Sequence, residues 1–298
     1  MLEWKKMKLW VEVLRPQHWI KSGFCLAALF FGGLAGSWES WEQILPLLVS
    51  FSVLASAGYL LNDVWNREED RHHPRKKMRP VASGQLPVGQ ILLVSFALAI
   101  GGLALLGFAY GFVGESALPL WHGVGYLMLT IGYSLVFREM PLLDVLVLGI
   151  GFVIRVSAGA FALGLSPTGW LLGCTYAIAL VLGFGKRLGE WRLLERLQEV
   201  PGETRSALRG YTDALLRVLV GGSSFAAGGT YYAYCLSHSE REFLVLTVIP
   251  VVVGLMAYLR MAWRSAVVET PERLLFKSPV LLGSVVVWLI MIVLIILR

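Results

Sequence analysis

Charge is what this sequence has little of. Only 15% of the 298 residues are Asp, Glu, Lys or Arg, where an ordinary soluble protein carries about 25%. That shortage argues against a soluble globular fold. Cysteine is scarce as well: Cys25, Cys174 and Cys235 lie in apolar stretches without CxxC or Cys/His spacing. Neither a zinc site nor a disulfide framework is implied, and buried inert thiols are expected. No short apolar core followed by a small-residue cleavage site precedes the first long apolar run, so no cleavable signal peptide is expected. Neither a low-complexity tract nor a separate soluble domain is visible.

What the sequence does have is apolar length, with 56% of its residues hydrophobic. A spanning helix needs about 20 predominantly apolar residues. Nine such runs can be read, at about 17–36, 43–64, 88–110, 118–137, 141–163, 168–187, 212–236, 242–262 and 278–297. Their unbroken length favours helix, since a barrel strand shows about ten residues of alternation. The expected fold class is all-α: a polytopic membrane protein with nine transmembrane helices, forming one domain over residues 1–298.

The net charge of +6 does not point to nucleic acid, because the basic residues sit in short loops between apolar runs. Segments 1–21, 65–87, 137–141, 186–211 and 260–277 carry five, six, one, six and four Lys or Arg, 22 in all, against Arg241 and Arg298 on the other side. By the positive-inside rule those four loops and the N-terminus are cytoplasmic. The bilayer is therefore a partner. The expected location is the cytoplasmic (inner) membrane, with the polar chemistry facing the cytoplasm.

Three stretches could do that chemistry. After the second run come Asn62-Asp63 and then Asn66 and Asp70. If the helix continues through Asp70, Asp63 and Asp70 lie about 20° from a common face, with Asn66 on the same side. Oxygen-bearing side chains at a membrane boundary suit a hard cation that also binds substrate phosphates, Mg²⁺ above all. A basic run follows at once, including Arg71, Arg75, Lys76, Lys77 and Arg79, and carboxylates beside cations are what diphosphate chemistry requires. An acid that merely neutralises an anchoring loop is the plainer alternative, but a carboxylate ending an apolar helix is costly without a purpose. The second stretch is the turn from Tyr133 through Arg138 to Asp144, where Asp144 opens a helix and suits its dipole. Arg155 lies eleven residues on, about 20° off the same face and about 16 Å deeper. There it meets either a substrate phosphate or an acid from another helix. The third is Lys186-Arg187 with Glu190 at the end of the sixth run, where cations are also favoured by the helix dipole alone.

Taken together these residues resemble the UbiA superfamily of intramembrane prenyltransferases. Asn62-Asp63 through Asp70 resembles its NDxxDxxxD signature. The likeness is closer to the decaprenyl-phosphate phosphoribosyltransferase branch. Arg15-Pro16 with Trp19 and Lys21 resembles RPxxWxKN; His73-Pro74, Lys76 and Arg79-Pro80 resemble HPxKxxRP. Tyr133-Ser134 through Asp144 and Arg155, then Lys186-Arg187 with Glu190, match further text of that branch, as do Gly210-Tyr211-Thr212 and Pro271-Glu272 through Pro279. The resemblance implies a UbiA-type bundle and transfer of a 5-phosphoribosyl group from phosphoribosyl diphosphate to a polyprenyl phosphate. On it, Asp63, Asn66 and Asp70 hold Mg²⁺ on the donor, and Lys76 and Arg79 neutralise the departing diphosphate. Asn62, Lys21, Tyr133, Arg138, Asp144, Arg155, Lys186, Arg187 and Glu190 line the substrate site.

Three residues depart from the pattern: Asn66 for the usual Asp, Arg138 for Lys, and Ser22 for Asn. The first leaves room for coordination completed by Glu68 or Glu69. A prenyltransferase acting on an aromatic acceptor is the nearest alternative, but such enzymes carry a second DxxxD motif. Here Glu139 and Asp144 are five apart, and 186–190 offers one acid among bases. A transporter would place its polarity near the bilayer midplane, whereas here Arg155 is the main deep charge.

Overall fold

The computed structural model describes residues 2–72, 76–198, 206–237, 243–264 and 278–296. His73, Pro74, Arg75, Arg241, Pro271, Glu272 and Arg298, which enter the reading above, lie outside the described residues. Among the described residues all regular structure is helical. The helices are α1 (Leu2–Leu14), α2 (Ala27–Phe31), α3 (Trp38–Trp65), α4 (Arg67–His72), α5 (Val88–Tyr110), α6 (Leu118–Leu135), α7 (Leu143–Ala162), α8 (Gly169–Arg196), α9 (Asp213–Ser237), α10 (Val248–Arg264) and α11 (Pro279–Ile296). Among the described residues, five segments are long and apolar enough to cross a membrane: α3, α5, α7, α8 and Leu244–Arg264. Large apolar side chains such as Leu93, Phe96 and Phe108 on α5 and Phe225 on α9 face outward, a surface that water does not favour and lipid does.

Polar starts fix several of these helices. Ser37 accepts a hydrogen bond from the Ser40 N–H at 3.3 Å to open α3, and Thr168 accepts from Leu171 at 3.2 Å to open α8. These are side-chain oxygens satisfying otherwise orphaned N–H groups.

The first expected span, 17–36, is not one helix. Arg15 takes the left-handed conformation (φ 53°, ψ 57°), and a 3₁₀ segment Pro16–Leu26 leads into the single turn and a half of α2. Pro16 supplies no N–H to bond back, and Gly33 at φ 75° ends the segment. The sixth run also differs, since α8 continues to Arg196 rather than ending near 187. Residues 186–196 are mostly good helix formers with no proline among them, so Lys186 to Glu190 sit within the helix.

The chain forms two compact units, Met1–Leu29 with Ser37–Phe137 and Ile154–Ser166, and Phe30–Gly36 with Arg138–Val153 and Pro167–Arg298. In the first, α3 packs chiefly on α5 and also on the 3₁₀ segment, α6 and α1. A side chain at Gly159 would run into the Cys25 carbonyl, so glycine there permits the close approach of backbones that membrane helices favour. In the second, α8 packs chiefly on α9, and α10 packs on α11 and α9. Its core is built from Val181, Phe184, Leu188, Leu216 and Val220 around Tyr258.

Candidate active site

The acidic cluster forms where α3 gives way to α4. The helix breaks at Asn66 alone, which caps α3 with φ −91° and ψ 12°. Backbone bonds run straight through the break, from Asn66 N–H to Asn62 O at 3.0 Å and from Asp70 N–H to Asn66 O at 2.8 Å. Helical register is thereby kept, and Asp63, Asn66 and Asp70 are buried together, at 3%, 4% and 3% exposure.

Two arginines satisfy the carboxylates. Arg15 Nη2 donates to Asp63 Oδ1 at 2.6 Å. Arg79 Nη1 donates to Asp70 Oδ2 at 2.7 Å and lies 3.4 Å from Asp63 Oδ1. Both carboxylates therefore converge on a single cationic nitrogen. Buried acids without such partners would be strongly destabilising.

Arg15 reaches Asp63 because the chain turns left-handed at that residue, ahead of proline, where backbone strain is real. The turn is tied down by Trp19, whose indole donates to Ser56 Oγ at 2.9 Å, and by Ser56, which donates to the Leu14 carbonyl at 2.8 Å. The Arg15 guanidinium also lies over the Tyr59 ring, 5.1 Å from its centroid.

This donor set fits a hard divalent cation. The two carboxylates already converge on a positive nitrogen, and Asn66 commits its amide nitrogen to Asn62 O at 2.7 Å and Asn62 Oδ1 at 2.8 Å. Its own oxygen is what remains for a cation. No group of three or more His, Cys, Asp or Glu suited to a metal occurs among the described residues. Two carboxylates with substrate phosphates completing the shell is the usual arrangement for Mg²⁺. Glu68 does not supply the third acid: it is turned outward, bound by Arg71 Nη1 at 2.9 and 3.0 Å. Glu69 is likewise exposed. Lys76 sits half-buried on the turn before Arg79, its carbonyl accepting the Arg79 N–H at 2.9 Å. In the same unit Lys21 and Tyr133 are half-buried. Arg155 is buried, donating to Tyr126 Oη at 2.8 Å with its guanidinium 4.3 Å from that ring's centroid.

A second constellation belongs to the other unit. Asp144 is fully buried and takes Arg187 Nε at 2.6 Å and Tyr211 Oη at 2.6 Å. Arg187 also donates to Glu190 at 2.7 Å. Tyr211 Oη in turn accepts the Leu142 N–H at 2.7 Å, holding Leu142 at φ 67°. Burial and the neighbouring carboxylate push the Tyr211 phenol above its ordinary range, so it stays a donor. Lys186 is exposed and Arg138 half-buried.

Three contributors had no role assigned from sequence. Arg15 and Tyr211 stand inside the RPxxWxK and Gly-Tyr-Thr text but pair over separations of 48 and 67 residues, and local periodicity does not report such distances. Tyr126 carries no sequence signal.

These features define an integral-membrane helical protein that keeps a carboxylate pair at the end of one span, bridged by arginine. A family model described as the UbiA prenyltransferase family matches residues 23–280, and the chain belongs to that family. A decaprenyl-phosphate phosphoribosyltransferase from Corynebacterium glutamicum is 34% identical over 211 residues, covering 70% of this chain and 61% of that protein. The match thus spans less than two thirds of that relative's length. The protein of the same name from Mycobacterium tuberculosis is 29% identical over 257 residues, 83% of this chain and 81% of its own. A UbiA homolog from Archaeoglobus fulgidus, solved with DMAPP and Mg²⁺ bound, is similar at a TM-score of 0.71 over 95% of this chain and 98% of that one. At 16% identity this is a likeness of fold.

Proposed function

We propose that this protein transfers a 5-phosphoribosyl group from phosphoribosyl diphosphate to a polyprenyl phosphate, releasing diphosphate. The observation that carries the reading is the convergence of Asp63 and Asp70 on Arg79, with Arg15 behind Asp63. It joins a cation-binding acid pair to a cation able to follow phosphate. The name of the corynebacterial and mycobacterial relatives, decaprenyl-phosphate phosphoribosyltransferase, supports phosphoribosyl transfer to a polyprenyl phosphate.

In this reading Asp63, Asp70 and Asn66 hold Mg²⁺. That ion, when bound, neutralises the diphosphate as negative charge builds on it. Arg79, 31% exposed at its side chain, exchanges a carboxylate for a phosphate oxygen, and Lys76 adds a second cation. Arg15 holds Asp63 aimed through its hydrogen bond. The acceptor needs no general base, because a phosphate monoester is already anionic at neutral pH. Resemblance alone assigns Tyr133, Arg138, Lys186 and Arg187 to the phosphoribosyl group, with Asn62, Lys21, Arg155 and Glu190 beside them. Asp144 then acts by positioning Arg187.

The proposal includes nine spans in one UbiA-like transmembrane domain over residues 1–298, set in the inner membrane with the site facing the cytoplasm. The charge asymmetry of the loops supports that orientation.

The test is to incubate purified full-length protein with Mg²⁺ and either phosphoribosyl diphosphate plus polyprenyl phosphate or polyprenyl diphosphate plus an aromatic acid. The lipid product is identified by mass. A phosphoribosyl lipid is expected; a prenylated aromatic product, or none from the first pair, overturns the reading.

A further inference from the structure

A second basic site lies wholly within the second unit and shares no residue with the constellations above. There the last turns of α8 and α10 and the first turn of α9 line an open pocket of about 420 Å³. Four of its lining residues are arginines: Arg192, Arg196, Arg217 and Arg264. Against them stand Asp213 and Glu195.

Asp213 is already spoken for. Arg192 Nε donates to its Oδ1 at 2.6 Å, and Arg217 Nε pairs with its other oxygen. Arg192 Nη1 donates to the Ala262 carbonyl. These contacts hold Arg192 rigidly at 8% exposure. Its remaining nitrogen, Nη2, is buried and has no hydrogen-bond partner among the described residues. A buried donor left in this way is uncommon and calls for an acceptor. Arg196 and Arg264 stand exposed at the rim, so the pocket presents surplus positive charge beside the rigidly held Arg192.

Trp191 and Trp263 complete the wall. Tryptophan and arginine at the ends of spanning helices are the composition of the membrane–water boundary, where phosphate headgroups lie. Guanidinium groups match phosphate oxygens in geometry and charge.

We propose that this pocket binds a phosphate group, carried by an anionic phospholipid headgroup or free in solution, with Arg192 Nη2 as its buried donor. It shares no residue with the carboxylate cluster, and the inference does not depend on the proposed activity.

The experiment uses full-length protein in phosphatidylcholine nanodiscs. In one arm the discs also contain phosphatidylglycerol, and native mass spectrometry counts the anionic lipid retained after delipidation. In the other, equilibrium dialysis follows radiolabelled inorganic phosphate. Retention in the first arm alone identifies a headgroup site, and saturable binding in the second a soluble-phosphate site. An R196Q/R264Q double variant, altered only at the exposed rim, should bind the retained probe at least about tenfold more weakly, since charged hydrogen bonds carry that much each. Arg192→Lys should weaken it as well, with the rim variant guarding against a folding defect at Arg192. A D63N/D70N variant should bind as the wild type does. Binding of neither probe, or equal binding by the wild type and the rim variant, overturns the proposal.

Discussion

Replacing Asn66 by Asp is the sharpest test of the carboxylate cluster. The buried Asn66 amide donates two hydrogen bonds, to Asn62 O at 2.7 Å and to Asn62 Oδ1 at 2.8 Å. A carboxylate there loses both and faces two acceptor oxygens instead. Each such bond is worth about 1 kcal/mol, and stranding its partner raises the cost, so the metal-free variant should be roughly 2–4 kcal/mol less stable. A third acid beside Asp63 and Asp70 pushes in the same direction. Mg²⁺ should offset part of that loss, because an ion that binds only the folded state stabilises it in proportion to the logarithm of its affinity, and a tenfold tighter Kd adds about 1.4 kcal/mol over the wild type. Thermal unfolding in EDTA and in excess Mg²⁺, alongside Mg²⁺ titration of turnover, reads both effects. The expected result is a lower Tm in EDTA, a larger rise with Mg²⁺ than in the wild type, and half-saturation at about tenfold less Mg²⁺. If N66D matches the wild type in Mg²⁺ half-saturation and in the response of its Tm, the cluster is not where the cation binds.

Asp63→Ala and Asp70→Ala should each lower kcat/KM by about 10²-fold or more, the scale of losing one preorganised electrostatic group. Fractionation should still find both variants in the membrane. Tyr211→Phe removes a donor from the fully buried Asp144 and strands the Leu142 N–H; a loss of about 1–3 kcal/mol is expected in denaturant unfolding. Because the folded protein raises the Tyr211 pKa above 10.0, that residue's stabilising effect is present below pH 10 and fades as pH climbs beyond it. The variant should therefore lose one component of the alkaline fall in Tm. Gly159→Ala sets a methyl group against the Cys25 carbonyl, and a drop of about 1–3 kcal/mol is expected from such overpacking; an unchanged Tm would show that the backbones separate at no cost.

Much of this architecture was legible because helical periodicity is local. The apolar runs marked the long helices, and a spacing of seven residues placed Asp63 and Asp70 on one face before any contact was known. The break at Asn66 did not disturb this, since hydrogen bonds continue through it. What was illegible depended on residues distant in sequence or on a single backbone dihedral. Nothing local says that Arg15 turns left-handed, or that the N-terminal apolar run winds as 3₁₀. That Arg187 pairs with Asp144 across 43 residues was equally out of local reach, and its bond to Glu190 one turn on follows because a helix expected to stop near 187 continues to Arg196. Glu68 read as a spare ligand, but a neighbour one turn away captures it.

The doubly bridging Arg79 has a consequence for the order of events. With Arg15 and Arg79 in place, the two carboxylates are already electroneutral, and a bare divalent ion would have to evict a cation that has nowhere better to go. A diphosphate arriving with its ion changes that exchange, offering the displaced guanidinium a new anion at the same moment. Ion and donor should therefore load synergistically, each raising the apparent affinity of the other by an equal factor, with the arginine as the group that couples them.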